Sequence, residues 1–181
     1  MMTHLREKMP EQAQSVKISP LRPEHTEALF VFEQENRDWF EQSVPARPQR
    51  YHELVTFRAV IDELLQAQAQ GDCLLFVLEE NDCIVGRANL VDISASGAEI
   101  GYRIGQSYAG QGLATLAVKH LLQVAKQDFN LEKVVASTTM NNLASRRVLE
   151  KSGFGVTKEE TDAVVLNNEP LTMLHFECDL A

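Results

Sequence analysis

The stretch 98-AEIGYRIGQSYAGQGLATLAVKHLL-122, followed shortly by 133-KVVAST-138, constrains this chain more than any other. Ile100, Tyr102 and Ile104 alternate with Glu99, Gly101 and Arg103, the period of a strand. Leu113, Leu116, Ala117, Leu121, Val124 and Ala125 then recur at helical spacing and predict a helix over 112–128. KVVAST reads as a buried strand. A strand–helix–strand crossover joins parallel strands, so this unit is expected to be parallel. Between strand and helix stand Gly110 and Gly112. Amide N–H groups at a helix start lack intrahelical partners and form an anion site, which side-chain-free glycines let a phosphate approach. A plain turn before a helix fits the same two glycines. A Walker loop is excluded, because Leu113-Ala114 follows Gly112 where Lys-Ser/Thr is needed. A dinucleotide fingerprint is excluded as well. The loop lies past mid-chain, Thr115 takes its third small position, and no acid ends the next strand.

The rest of the chain is organised around this unit. VKISPLR (16–22) is strand-like, with Pro20 limiting its pairing. Pro23 and Glu24 open a helix, EHTEALFVFEQENRDWF, and VPARP (44–48) ends it. A second helix over roughly 50–69 carries Leu54, Phe57, Ile61, Leu64 and Leu65 and stops at Gly71. CLLFVLEE (73–80), CIVGRANLVDI (83–93) and AEIGYRIG (98–105) form a meander, with tight turns at Asn81-Asp82 and Ser96-Gly97. NLASRRVLEKSG (142–153) is a helix with Gly153 near its C-cap, and FGVTKEE and PLTMLHFECD are the last strands. The order predicts a mixed sheet with helices on its faces. Residues 1–14 are polar and read as a flexible segment, leaving 15–181 as a single domain.

Composition narrows the function classes. A chain of 181 residues with 44% hydrophobic residues suits one domain with a real core. The formal net charge of −9 argues against a nucleic-acid partner, which calls for a basic footprint. No apolar run reaches membrane-span length, and MMTHLREKMPEQAQS lacks the apolar core of a signal peptide. The three cysteines lack metal-ligand spacing and read as reduced thiols, so a cytoplasmic protein is expected. The five histidines show no i, i+4 pair, so no metal site is expected.

The region 98–122 with 133-KVVASTTMNNLASRRVLEKSGF-154 resembles the GNAT superfamily of N-acetyltransferases, most closely its RimJ/RimL branch, whose members acetylate protein N-termini, chiefly of ribosomal proteins. The resemblance is strongest over about 84–155. It implies an α/β fold of α+β type: a mixed, mostly antiparallel sheet of six or seven strands flanked by about four helices. It also implies an acetyl-CoA-dependent enzyme. The family's Arg/Gln-x-x-Gly-x-Gly/Ala loop maps onto Ala109, Gly110, Gln111, Gly112, Leu113 and Ala114, with Ala109 departing from the pattern. Asn142 and Ser145 match the family's N-x-x-S/A helix, where the asparagine contacts coenzyme A. Asparagine also suits a helix N-cap, and both roles fit together. The strand with Ile104 would carry a bulge, at Gly101 or Gly105, and pair with the pantetheine arm.

Acyl transfer to an amine requires positioning, proton removal, donors for the oxyanion and a protonated leaving thiol. Glu99, on the strand face opposite Ile100 and Tyr102, is the candidate base, unless it pairs with Arg103 or is merely solvated. Ser145 is the candidate acid, unless it is a surface serine. Tyr102 and Tyr108 are reserve candidates. Many family members have a tyrosine where this chain has Leu149, and the glutamate of RimL-like enzymes aligns with Val164. The resemblance assigns the amine pocket to the loop between the first two helices, here Asn36, Arg37, Trp39, Phe40 and Glu41, with Trp39 and Phe40 equally suited to a core. The acceptor is expected to be a protein N-terminus, and the protein itself a monomer or homodimer. A free small amine, or a CoA-binding sensor without turnover, stays open.

Overall fold

The structure is a computed structural model and describes residues 15–181; the expected flexible segment 1–14 lies outside the described residues. Seven strands form one sheet: β1 (Lys17–Pro20), β2 (Cys73–Glu80), β3 (Cys83–Ser94), β4 (Gly97–Ile104), β5 (Lys133–Thr139), β6 (Gly155–Leu166) and β7 (Glu169–Asp179). Their order is β1-β2-β3-β4-β5-β7-β6, and only β4 and β5 run parallel. Five helices flank the sheet: α1 (Thr26–Glu35), α2 (Arg37–Glu41), α3 (Leu54–Gln70), α4 (Leu113–Gln127) and α5 (Leu143–Lys151). The parallel β4–β5 pair is joined by the α4 crossover, as the sequence requires; the α5 crossover joins β5 to β6, which run the same way with β7 between them.

The sheet separates two cores. On one face α4 buries Leu113, Ala117, Val118, Leu121, Val124 and Ala125 against Leu78, Ala88, Leu90 and Ile100. Each of the leucines, valines and the isoleucine contributes roughly 1.5–3 kcal/mol by leaving water. On the other face α1 and α3 pack Leu29, Phe32, Phe57 and Ile61 on Leu75 and Val77. Strand alternation therefore sends Arg87 and Asn89 of β3, and Glu99, Gly101 and Arg103 of β4, toward the α1/α3 side.

Two expectations are revised. The single helix expected from Glu24 is a 3-10 turn at Pro23–His25, then α1 and α2, broken at Asn36. The Asn36 amide donates to the Phe32 carbonyl at 2.9 Å and accepts from the Gln106 amide at 2.8 Å. A short polar side chain that bonds backbone in this way competes with helix continuation. The split gives five helices where about four were expected. The final hairpin is longer than FGVTKEE suggests: β6 runs to Leu166 and turns at Asn167-Asn168, both left-handed (φ 53° and 64°). Asparagine tolerates that region, so this two-residue turn matches the one at Asn81-Asp82, where φ is 50° and 63°.

Candidate active site

β4 and β5 pair only at Ala98↔Val134 and Glu99↔Val135. Beyond these rungs β4 continues to Ile104 and β5 to Thr139 without further pairing, so the sheet splits into a V. On its other edge β4 stays in unbroken register with β3 from Glu99 to Ile104; the register shift lies between Val91 and Ser94. The bulge expected at Gly101 or Gly105 is therefore absent, and the split itself leaves the backbone edge of β4 open. A cleft of about 680 Å³ fills the V, floored by α5 and lined at one end by the glycine loop.

That loop leaves its backbone exposed to the cleft. Gly110 and Gly112 have φ of 76° and 84°, a left-handed conformation that strains other residues. Gly112 caps α4, and a Cβ at Gly110 would stand in open space. Among the described residues no acceptor meets the amide N–H groups of residues 110–115. Ala109, Gly110, Gly112, Leu113 and Ala114 line the cleft, whereas the Gln111 side chain turns back to the Ser107 carbonyl at 3.0 Å. The Asn142 side chain caps α5 by accepting from the Ser145 amide at 3.1 Å, and it also borders the cleft. Arg147 and Lys151 add two cations along the same helix.

The candidate base stands at the closed end of the V and the candidate acid farther along it. Glu99 lines the cleft and makes no ion pair among the described residues; Arg103 pairs with Glu33 instead. Burial, then the neighbouring Asp92 carboxylate, raise the Glu99 pKa, with His175 opposing. On the opposite face of β4 the Tyr102 hydroxyl lies 3.0 Å from Ser145 Oγ. Burial raises the Tyr102 pKa despite that hydrogen bond, so the phenol keeps its proton. Tyr102, a reserve candidate by sequence, is thus joined to Ser145 in one donor pair. Leu149 is buried under the cleft, and Val164 lies out on β6, away from it.

The α1/α3 side of the cleft is walled by Trp39 and Phe40. The Trp39 indole donates to the Ile104 carbonyl at 3.2 Å and pins α2 to the end of β4. The other three candidates from this segment are not brought to the cleft. Asn36 is engaged in the helix break. Arg37 and Glu41 line a separate hollow of about 10 Å³. Sequence reading missed what lies behind the wall: Glu33, 2% exposed, meets Arg87 at 2.8 Å and Arg47 and Arg103 at 3.5 Å. Burial would raise the Glu33 pKa, but Arg87, Arg47 and Arg103 together hold it below the ordinary carboxylate value. The available signal was Arg87 within the apolar run CIVGRANLV, since a charge inside such a strand needs a buried partner. A second missed set is a hydrogen-bond chain across β5, β7 and β6: Ser137 Oγ to His175 Nδ1 at 3.2 Å, and His175 Nε2 to Glu160 at 3.0 Å.

Comparison with known proteins agrees with this architecture. The chain is 28% identical over 148 residues to a probable N-acetyltransferase, YjcK, of Bacillus subtilis (strain 168), covering 79% of this chain and 82% of that protein. Its fold matches the ribosomal-protein-S5-alanine acetyltransferase of Vibrio fischeri with a TM-score of 0.86 at 16% identity, over 91% and 93% of the two chains. It matches RimL, a ribosomal L7/L12 α-N-protein acetyltransferase in complex with coenzyme A, with a TM-score of 0.84 at 18% identity, over 91% and 94%. The Acetyltransferase (GNAT) domain matches residues 15–155. The chain therefore belongs to the GNAT acetyltransferase family and is an acyltransferase.

Proposed function

We propose that the protein transfers an acetyl group from acetyl-CoA to the N-terminal amine of another protein in the cytoplasm. The carrying observation is the V between β4 and β5, which has the glycine loop at its open end, Glu99 where the strands part and Tyr102 with Ser145 between them. The free amides of residues 110–115 and the start of α4 suit the pyrophosphate. The open edge of β4 suits the pantetheine arm, which can bond there as a strand would. Acetyl-CoA supplies the activated acyl group. Glu99 takes the proton that the acceptor ammonium must lose. N–H groups on the open β4 edge stabilise negative charge developing on the acyl oxygen. Tyr102, through or beside Ser145, returns a proton to the departing sulfur, giving an amide and free CoA thiol.

Two features favour a polypeptide acceptor over a small polycation. The arginines beside the cleft repel a polyamine. Among the described residues no helix packs over the same sheet face at β5, β7 and β6, where Ser137 lies exposed, so a chain has room to enter. The test is CoA release across a panel of N-terminal peptides, polyamines and free amino acids. N-terminal peptides should give the highest kcat/KM. Turnover confined to small amines would overturn the acceptor assignment.

A further inference from the structure

The arginines behind the acceptor wall are poorly neutralised. Arg87 and Arg103 are direct cross-strand partners, a like-charge pairing that is unfavourable by itself. Glu33 is the one carboxylate that bonds them, and Arg47 joins the same carboxylate. Three arginines therefore share one carboxylate, an excess of two positive charges (3 − 1). Only Arg87 has a close charge-assisted bond to Glu33. At 3.5 Å Arg47 and Arg103 fall outside the usual range of about 2.7–2.9 Å. Arg47 Nε is buried without an acceptor. Burial, then repulsion from Arg47, bring the Arg103 pKa down to about 10, as for a cation lacking a full counter-charge. Arg47, Arg87 and Arg103 all reach the cleft.

Their position along the sheet gives this charge a reading frame. Three successive rungs face the α1/α3 side: Val91↔Glu99, Asn89↔Gly101 and Arg87↔Arg103. Asn89 Oδ1 is buried without a donor, and the space a Cβ at Gly101 would take is empty. A candidate base, an unused amide acceptor and an unfilled cation cluster therefore follow one another. By strand rise the outer rungs lie about 13 Å apart, a span that a few extended residues cover. The α-carboxylate of a free amino acid sits too close to its own amine to reach from one to the other.

We infer that the Arg47–Arg87–Arg103 cluster is an anion subsite that selects acceptor peptides with a carboxylate side chain at the second or third residue, their backbone N–H donating to Asn89. This inference rests on the proposed N-terminal acceptor, and the test separates the two. CoA release is measured with two peptides identical except for Asp or Asn at positions two and three, using wild type, Arg47→Gln and Arg47→Lys. Wild type should prefer the Asp peptide by about tenfold or more in kcat/KM, the size of one charge-assisted contact. Arg47→Gln should collapse that ratio, and Arg47→Lys should keep part of it. Because the readout is a ratio within one protein, partial loss of folded enzyme cancels. Equal use of the two peptides by wild type, or an unchanged ratio in Arg47→Gln, overturns the anion subsite while leaving the N-terminal acceptor standing. Acetylation of neither peptide, with small amines accepted, overturns both.

Discussion

Glu99 is held in surroundings that favour its neutral form: it is half-buried, near Asp92, and only partly relieved by His175. A base must be ionised to accept a proton, so activity should fall as pH drops through this raised pKa, placing the acidic limb above the ordinary carboxylate range. Glu99→Gln should lower kcat by about a hundredfold or more and remove that limb. The same shift has a sign for stability. A carboxyl whose folded pKa exceeds its unfolded value contributes stability below the unfolded pKa and loses it as pH rises through the folded one. Glu99→Gln should therefore fold at least as well as wild type at neutral pH, so its kinetic defect reads chemistry. A wild-type profile that keeps its limb in the variant would remove Glu99 from the base role. At this scale the sequence was partly legible. Glu99 and Ser145 could be named because alternation and a family motif fix them. The Tyr102–Ser145 pair spans 43 residues, and Glu33 reaches Arg87 and Arg103 across 54 and 70, so local pattern carried no trace of either.

The glycine loop and α4 form one functional element, since the conformation that frees the amides is also the one that starts the helix. Gly110 and Gly112 are both left-handed, a state costing other residues about 1–2 kcal/mol each. Gly110→Val with Gly112→Val should weaken acetyl-CoA binding by about tenfold or more in isothermal titration, through strain and through side chains occupying the phosphate's approach. Unchanged affinity would remove the loop from the cofactor site. Elements with strong periodicity were legible in advance: α3 and α4 have long apolar stripes, and α5 has both its Asn142 cap and its Gly153 stop. The break at Asn36 was not, because it depends on a Gln106 amide 70 residues away. The full length of β6 was not either, since its residues are mostly exposed and lack alternation.

On the scale of the whole molecule, an acidic chain with a net charge of −9 encloses a locally basic pocket. Net charge argued only against a nucleic-acid partner, and it is the arrangement of buried charge that makes this pocket basic. The parallel β4–β5 pair was readable from the α4 crossover, whereas the insertion of β7 between β5 and β6, themselves joined by the α5 crossover, was not. The V was not readable, since nothing in KVVASTT or AEIGYRIG marks where pairing stops after two rungs. Yet the V is what brings the glycine loop, the candidate base Glu99 and the Tyr102–Ser145 pair to one cleft. The most direct measurement is a single-turnover reaction of the protein with acetyl-CoA and an N-terminal peptide containing an internal lysine, with the product located by mass fragmentation. The expected result is one acetyl group on the α-amine, released with one CoA thiol. Binding of acetyl-CoA with no acetyl transfer to any amine would contradict it.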